Sequence, residues 1–380
     1  MIRKWTFMVT VFILMALLAC APKPASVPST PAPQPAAPAT TLPAAKSQSP
    51  EDAAWPRVVE AAKKEGTVTV YGYTFISDVN PAITDAFYKK YGIRAEIITG
   101  PGSMNSERLR TEARMKNMVA DVGEYSPTFA TILSQEGLVV PVGKELPVLR
   151  EDAWLAPPSM DEGGNTIRGY PAVQSPWINT DIVKAPDTPK LWSDLLDPRW
   201  SGKLLIIDPR TATSADRIVY TLTKYKMVES DFFTKLAGQK LLIPAGIGTR
   251  PPWTALAKGE GAIVVFGSDS QGGPVLKEGA HIKPIVLSGS VIVTSSAFQL
   301  IKNAPHPNAG KLFIDFALSQ QGYDLVTRMN LLSSLRKDVS DISVMASLKP
   351  FNIVANSIED EAAIAKSNRE GVATKVLGIQ

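Results

Sequence analysis

The sequence predicts an α/β protein built from two such units. Three observations carry this. The chain is 380 residues long, more than a single core usually organises. The stretch 53–126 alternates strand and helix patterns in a β-α-β-α-β rhythm, which points to a largely parallel sheet. After a proline-punctuated extended segment at 167–189 the same kind of rhythm begins again. Hydrophobic residues make up 44% and charged residues 20%, ordinary for a globular chain.

Taken in order, Arg3 and Lys4 precede an apolar run, Phe7 to Ala19. The run is too short to span a bilayer comfortably and fits the apolar region of a secretory signal. It ends Leu17-Leu18-Ala19-Cys20, which resembles a bacterial lipobox; the resemblance implies cleavage before Cys20 and lipidation of its sulfur. Cys20 is the one cysteine of the chain, so neither an internal disulfide nor a thiolate zinc site is possible. Residues 21–50 hold nine prolines and eight alanines. Such a segment cannot bury a core and serves as an extended tether.

In the first unit, Trp55 to Lys64 reads as a helix closed by Gly66, and Thr67 to Tyr73 alternates as a strand. A helix from Asp78 to Tyr91 ends at Gly92. Ile93 to Thr99 is a second strand, Ser103 to Lys116 a charged helix, and Asp121 to Glu124 begins a third strand. Ligands of such sheets collect at the carboxyl ends of the strands. That rule singles out Tyr71, Tyr73, Ser103, Tyr125 and Ser126. Each has an ordinary alternative: half-buried packing for the tyrosines, helix capping for Ser103.

The crossing segment reads as a strand from Ile167 to Ile178 broken by Pro171 and Pro176, then a short helix at Lys190 to Leu196 capped by Thr188. Trp177 lies in it and either lines a cleft or packs the hinge. The second unit starts with a strand at Lys203 to Asp208. A helix follows at Asp216 to Lys226, with Thr213 or Ser214 as its N-cap; a helix start of this kind suits an anion. Arg210 and Arg217 lie near this helix start as further anion candidates; the ordinary alternative is that they are solvated or paired with Asp208 and Asp216, and for Arg217 that alternative is preferred. Arg250, in a Gly-Pro turn that opens a helix at Trp253 to Lys258, is the candidate anion clamp. Strands follow at Gly261 to Gly267, Ile282 to Leu287 and Val291 to Ser295. Helices follow at Ala309 to Leu318 and Gly322 to Met329, and a last one lies near Glu359 to Leu377.

The order Trp192-x-Asp-Leu-Leu-x-Pro-x-Trp-x-Gly-Lys203 followed by Asp208-Pro-Arg210 resembles the extracellular solute-binding proteins of ABC importers, in the branch that includes the ferric-iron-binding proteins. Asp121-Val122, Leu256 to Val265 and His306 to Gly322 extend the resemblance over most of the chain after the tether. It implies a two-lobed, periplasmic-binding-protein-like (type II) fold, with two mixed, largely parallel sheets and a hinge crossed by extended segments near Gln174–Asn179 and Leu287–Thr294. The expected organisation is a signal peptide at 1–19, a lipid-anchored linker at 20–50, lobe 1 at 51–174 and 290–335, lobe 2 at 175–289, and a tail at 336–380 assigned to neither lobe. The implied partners are a small-molecule solute and ABC permease subunits, with the membrane reached through the Cys20 anchor and the chain a monomer outside the cytoplasm.

Net charge is +4, falling to about +2 without Arg3 and Lys4. With no arginine–aromatic strip, nucleic acid is not an expected partner. No nucleophile elbow, Walker loop, zinc-protease or dinucleotide motif is present, and with only His281 and His306 no enzyme activity and no cofactor are expected. The alternatives are a tethered hydrolase or lyase on a similar scaffold, and a sensory ligand-binding ectodomain. Ferric-binding members use adjacent tyrosines, and this chain has no Tyr-Tyr pair. The departure moves the expectation from iron to an organic or oxyanionic solute, and no metal site is assigned.

Overall fold

The computed structural model describes residues 50–75, 78–155, 161, 163–210, 214–246, 249–348 and 352–379. Cys20, the signal segment, the tether up to residue 49 and Thr213 lie outside the described residues; the expected end of the tether, Pro50, opens the first helix. The body from Gln48 to Gln380 forms one compact unit.

Its first part runs α1 (Pro50–Glu65), β1 (Thr67–Gly72), α2 (Val79–Tyr91), β2 (Arg94–Thr99), α3 (Gly102–Arg114), β3 (Val122–Tyr125), α4 (Pro127–Gln135) and β4 (Val139–Val140). Gly92 ends α2 with φ of 72° and donates its N–H to the Tyr88 carbonyl, a left-handed cap that glycine supplies without strain. Next come β5 (Ile167–Asn179), β6 (Leu204–Leu205), α5 (Ser214–Lys224), α6 (Phe232–Ala237), α7 (Arg250–Lys258), β7 (Ile263–Ser268), α8 (Asp269–Lys277) and β8 (Ile282–Pro284). The chain closes with β9 (Ser290–Ile301), α9 (Pro307–Leu318), α10 (Gln320–Asn330), β10 (Asn352–Ala355), α11 (Ile358–Arg369) and α12 (Val372–Val376).

The strands join in the order β2-β1-β3-β9-β5-β7-β6, with β4 and β10 on β9 and β8 on β5. Pairs β1/β2, β1/β3, β6/β7 and β9/β10 are parallel. The pairs that β5 and β9 make with each other and with β3, β4, β7 and β8 are antiparallel. The two expected sheets therefore run into one another, because β5 and β9 are long enough to serve both. Pro171 is accommodated at a register shift between Arg168 and Pro171 in that ribbon, which suits a residue without a donor.

One core gathers Phe87, Tyr170, Phe298, Phe313 and Phe316 on the β1–β3 side; another gathers Trp192, Leu195, Ile218, Leu222 and Phe233 on the β6–β7 side. The result is the two-lobed, curled mixed α/β fold. Some elements differ from expectation. The Lys190–Leu196 helix is a 3-10 turn, Trp192–Leu196, preceded by Leu191 rather than capped by Thr188. The last helix breaks at Gly371, where φ is 63°, into α11 and α12. The tail spans the molecule: β10 pairs with β9, α11 lies against α4 and α5, and α12 against α5 and α6.

Candidate solute-binding site

Parallel strands β1 and β3 end at the starts of the β1–α2 loop and α4. In the other lobe, β6 and β7 lead to the starts of α5 and α8. Ser126 is the residue before α4, in extended geometry, and its hydroxyl makes no cap bond. Ser214 opens α5. Both hydroxyls are buried and without a hydrogen-bond partner.

Between these two helix starts lies a closed polar ring. Thr128, on the first turn of α4, accepts a hydrogen bond from Arg217 Nη2 at 2.8 Å and donates to Glu361 Oε2 at 3.0 Å. The Arg217 guanidinium also donates to the other Glu361 oxygen, Oε1. The Arg217 and Glu361 side chains are 3% and 2% exposed, so this is a buried ion pair. Such a pair gains little net stability, but losing one partner strands a buried charge. Arg217 is three residues after Ser214 on α5, so both project from one face.

Tyr73 adjoins the ring. Burial first, then the Glu124 carboxylate, push its phenol above the ordinary range, while Arg217 acts in the opposite sense. Glu124, buried at the end of β3, shapes the neighbouring loop: it accepts from the N–H groups of Tyr73 at 2.9 Å and Thr74 at 3.0 Å and from the Thr74 hydroxyl at 2.6 Å. Its carboxyl is raised by burial in spite of these donors. Asn330 donates to the Thr74 carbonyl at 3.3 Å, fixing the loop from the other side.

Of the residues singled out from sequence, Tyr73, Ser126 and Ser214 come together here. The others do not. Tyr71 and Tyr125 are fully buried beneath α3 and α4 with Leu109, Ala130 and Leu133. The Tyr71 hydroxyl donates to Glu112, which also takes the Val119 and Ala120 N–H groups. Trp177 is fully buried edge-on against Trp253, ring centres 5.3 Å apart, so it packs lobe 2. Ser103 is exposed on α3. Arg250 is half exposed and bound to Glu278 at 2.5 Å, a surface ion pair instead of an anion clamp. His281 pairs with Asp181 at 2.8 Å on the surface, and His306 with Asp121 at 3.0 Å at the start of α9.

Thr128 and Glu361 were missed from sequence, and Arg217 was set aside there as solvated or paired with Asp216. Asp216, the expected partner of Arg217, instead accepts from Ser367, Asn368 and the Ala373 N–H. Asp208 does bind Arg210, at 2.9 Å. A signal existed for Arg217: it lies among Ala215, Ile218, Val219 and Leu222, all buried, so a solvated arginine there was improbable. Nothing local marks Glu361, which is 144 positions away from Arg217.

Two α/β lobes on one curled mixed sheet, with helix starts of both lobes meeting at the Arg217–Thr128–Glu361 ring, match the architecture of the periplasmic-binding class. Residues 68–329 match the family model described as bacterial extracellular solute-binding protein, and the chain belongs to that family. A Haemophilus influenzae protein of uncharacterised function is 27% identical over 251 residues, 64% of this chain and 70% of the relative. Among solved structures, iron-bound HitA from Pseudomonas aeruginosa is 22% identical, with a TM-score of 0.63 over 80% of this chain and 99% of its own. The Trichodesmium IdiA (FutA) protein in complex with iron and citrate is 17% identical, with a TM-score of 0.65 over 83% and 100%. AfuA from Actinobacillus pleuropneumoniae, bound to fructose-6-phosphate, is 19% identical, with a TM-score of 0.62 over 82% and 98%. These likenesses carry the fold, and the solutes are those of the neighbours.

Proposed function

We propose that this chain captures a small organic or oxyanionic solute outside the cytoplasm and delivers it to the permease of an ABC importer. The observation that carries the reading is the manner in which the Glu361 carboxylate is held. A guanidinium and a hydroxyl grip it where the first turns of α4 and α5 meet, and two further buried hydroxyls there lack partners. Helix N-termini carry partial positive charge and unpaired N–H groups. The same place therefore suits a carboxylate or phosphoryl group of a solute.

The lobes close on the solute by a shift of population, in proportion to its differential affinity for the closed form. The permease recognises that closed form. Lipidation at Cys20 and the Pro/Ala-rich tether hold the monomeric receptor at the membrane. Neighbours that bind iron and one that binds a phosphosugar share the fold; support for the organic or oxyanionic reading comes from Tyr71 and Tyr125, whose rings are sealed inside lobe 1 and not presented to the cleft.

A thermal-shift screen of the full chain tests this, with phosphate, phosphonates, carboxylates, sugar phosphates, thiamine, polyamines and ferric citrate. A ligand at about 100 times its dissociation constant adds roughly 2.7 kcal/mol. For a body of some 330 residues that is an upward shift of about 4 °C. Stabilisation by an oxyanionic class supports the reading, and stabilisation by ferric ion alone refutes it.

A further inference from the structure

We propose that Glu361 is an internal carboxylate seated at the oxyanion position of the cleft, so that the C-terminal helix ties the two lobes together and competes with solute for Arg217 and Thr128. The inference rests on the solute-binding reading and names what regulates that site.

Three features carry it. First, α11 packs against both α4 and α5 but is held by hydrogen bonds mainly to α5 of lobe 2. Its N-terminus is fixed by a reciprocal cap, Asp360 N–H to Ser357 Oγ at 3.2 Å and Ser357 N–H to Asp360 Oδ2 at 2.9 Å. The same Asp360 carboxylate accepts from Tyr220 at 2.9 Å, Tyr225 at 3.1 Å and Lys224, all on or just after α5. Further along, Asp216 of α5 accepts from Ser367, Asn368 and Ala373. Second, the next residue after Asp360 crosses to lobe 1. Glu361 takes the Thr128 hydroxyl of α4, and Arg217 of α5 gives to that same oxygen. A threonine hydroxyl has one proton to give, and here it goes to the internal carboxylate.

Third, the pair is sealed from water. A buried ion pair of this kind adds little stability compared with apolar packing, so its consequence is positional: it sets how α4 and α5 approach. A solute carboxylate or phosphoryl group that reaches Arg217 has to take the place of the Glu361 oxygens. Solute-free protein then stays partly closed through its own carboxylate, and solute affinity is lowered by that competition.

Two variants separate the two roles. Thr128→Val removes the hydroxyl that links the lobes, with little change in volume, and leaves the Arg217–Glu361 pair intact. Glu361→Gln keeps the shape and removes the charge. Spin labels go on Lys89→Cys of α2 and Lys235→Cys of α6, both exposed and one on each lobe, in the full chain with Cys20→Ser. Without solute, both variants are expected to move the interlobe distance distribution to longer separations. Glu361→Gln is also expected to bind inorganic phosphate about tenfold tighter than the parent.

Distance distributions identical to the parent in both variants would overturn the tie. Weaker phosphate binding in Glu361→Gln would overturn the competition and make Glu361 a positioning residue for Arg217. Phosphate binding to neither protein, with the distances shifted as expected, would remove the oxyanion reading of the solute and the competition with it, and leave the tie standing.

Discussion

Asp269 offers the sharpest test of how the lobes are joined. It opens α8 in lobe 2, yet its Oδ1 accepts the Val173 N–H of the β5 crossing at 2.9 Å and the Ser270 N–H at 2.7 Å. Its Oδ2 is buried without a hydrogen-bond partner. Burial, the largest influence, raises its carboxyl from 3.8 to about 7; the N–H groups of Val173, Ser270 and Ser333 oppose this, and Asp341 adds to it. The sign follows directly. The folded protein holds this proton more tightly than the unfolded chain does. The stabilisation is fully present below about pH 4 and is lost as pH rises through about 7. The gap is roughly a thousandfold in proton affinity, of order 4 kcal/mol. Asp269→Asn keeps the oxygen that accepts from Val173 and removes the titration. Thermal unfolding of both proteins at pH 4.5, 6 and 8 reads the effect. The variant should gain on the parent by about 6 °C between the ends of that range, for a body of some 330 residues. A difference between the two proteins that does not change with pH would show that Asp269 stays ionised and solvated, and would refute the reasoning.

Other outcomes follow from the same structure. In Gly272→Ala the new methyl group would stand 2.7 Å from both the Trp177 and Trp253 rings. The variant should lose about 1–3 kcal/mol in a denaturant titration, against a helix-propensity gain of about 1 kcal/mol. Burial alone would raise the Asp360 carboxyl, but Lys224, the Ser357 N–H, Tyr220 and Tyr225 outweigh it and hold it at about 2. Because that value is depressed, docking of α11 is stabilised above about pH 4 and weakens as pH falls toward 2; hydrogen exchange in α11 should rise over that interval in the parent, and Asp360→Asn should show the raised exchange already at pH 7. Arg250→Ala removes a half-exposed ion pair and should change stability by less than about 1 kcal/mol, with unchanged solute affinity by calorimetry.

Much of the fold was legible because its signals are local. The glycine after α2, the alternation of β1 and the continuous apolar run of β7 each fix an element within a dozen residues. The crossing strand β5 was legible despite two prolines, since its apolar positions outnumber them. α8 was not: no helix was read between the strands at 261–267 and 282–287, because Gly272-Gly273-Pro274 disfavours one, and the helix forms where Gly272 packs against the two tryptophans. The site was half legible. The rule of strand carboxyl ends picked out Tyr73 and Ser126, and the helix-start argument picked out Ser214, but the strand rule also picked Tyr71, Tyr125 and Ser103. The direction of the two tyrosines depends on which face of the sheet α3 and α4 cover, and no spacing in β1 or β3 tells that. Arg250 looked free because Glu278, its partner, is 28 positions later in sequence. Arg217 was assigned to its sequence neighbour because the true partner comes from the tail, which no local pattern places on either lobe.

In the proposed function the lobes meet on an oxyanionic solute at Arg217 and the starts of α4 and α5. A crystal structure of the protein grown with the solute that stabilises it in the screen tests this most directly. The account predicts density for the anionic group within hydrogen-bond distance of the Arg217 guanidinium and of the Ser126 or Ser214 hydroxyl, with Glu361 displaced. Density for the solute elsewhere on the protein, or a ferric ion coordinated by tyrosine oxygens, would contradict it.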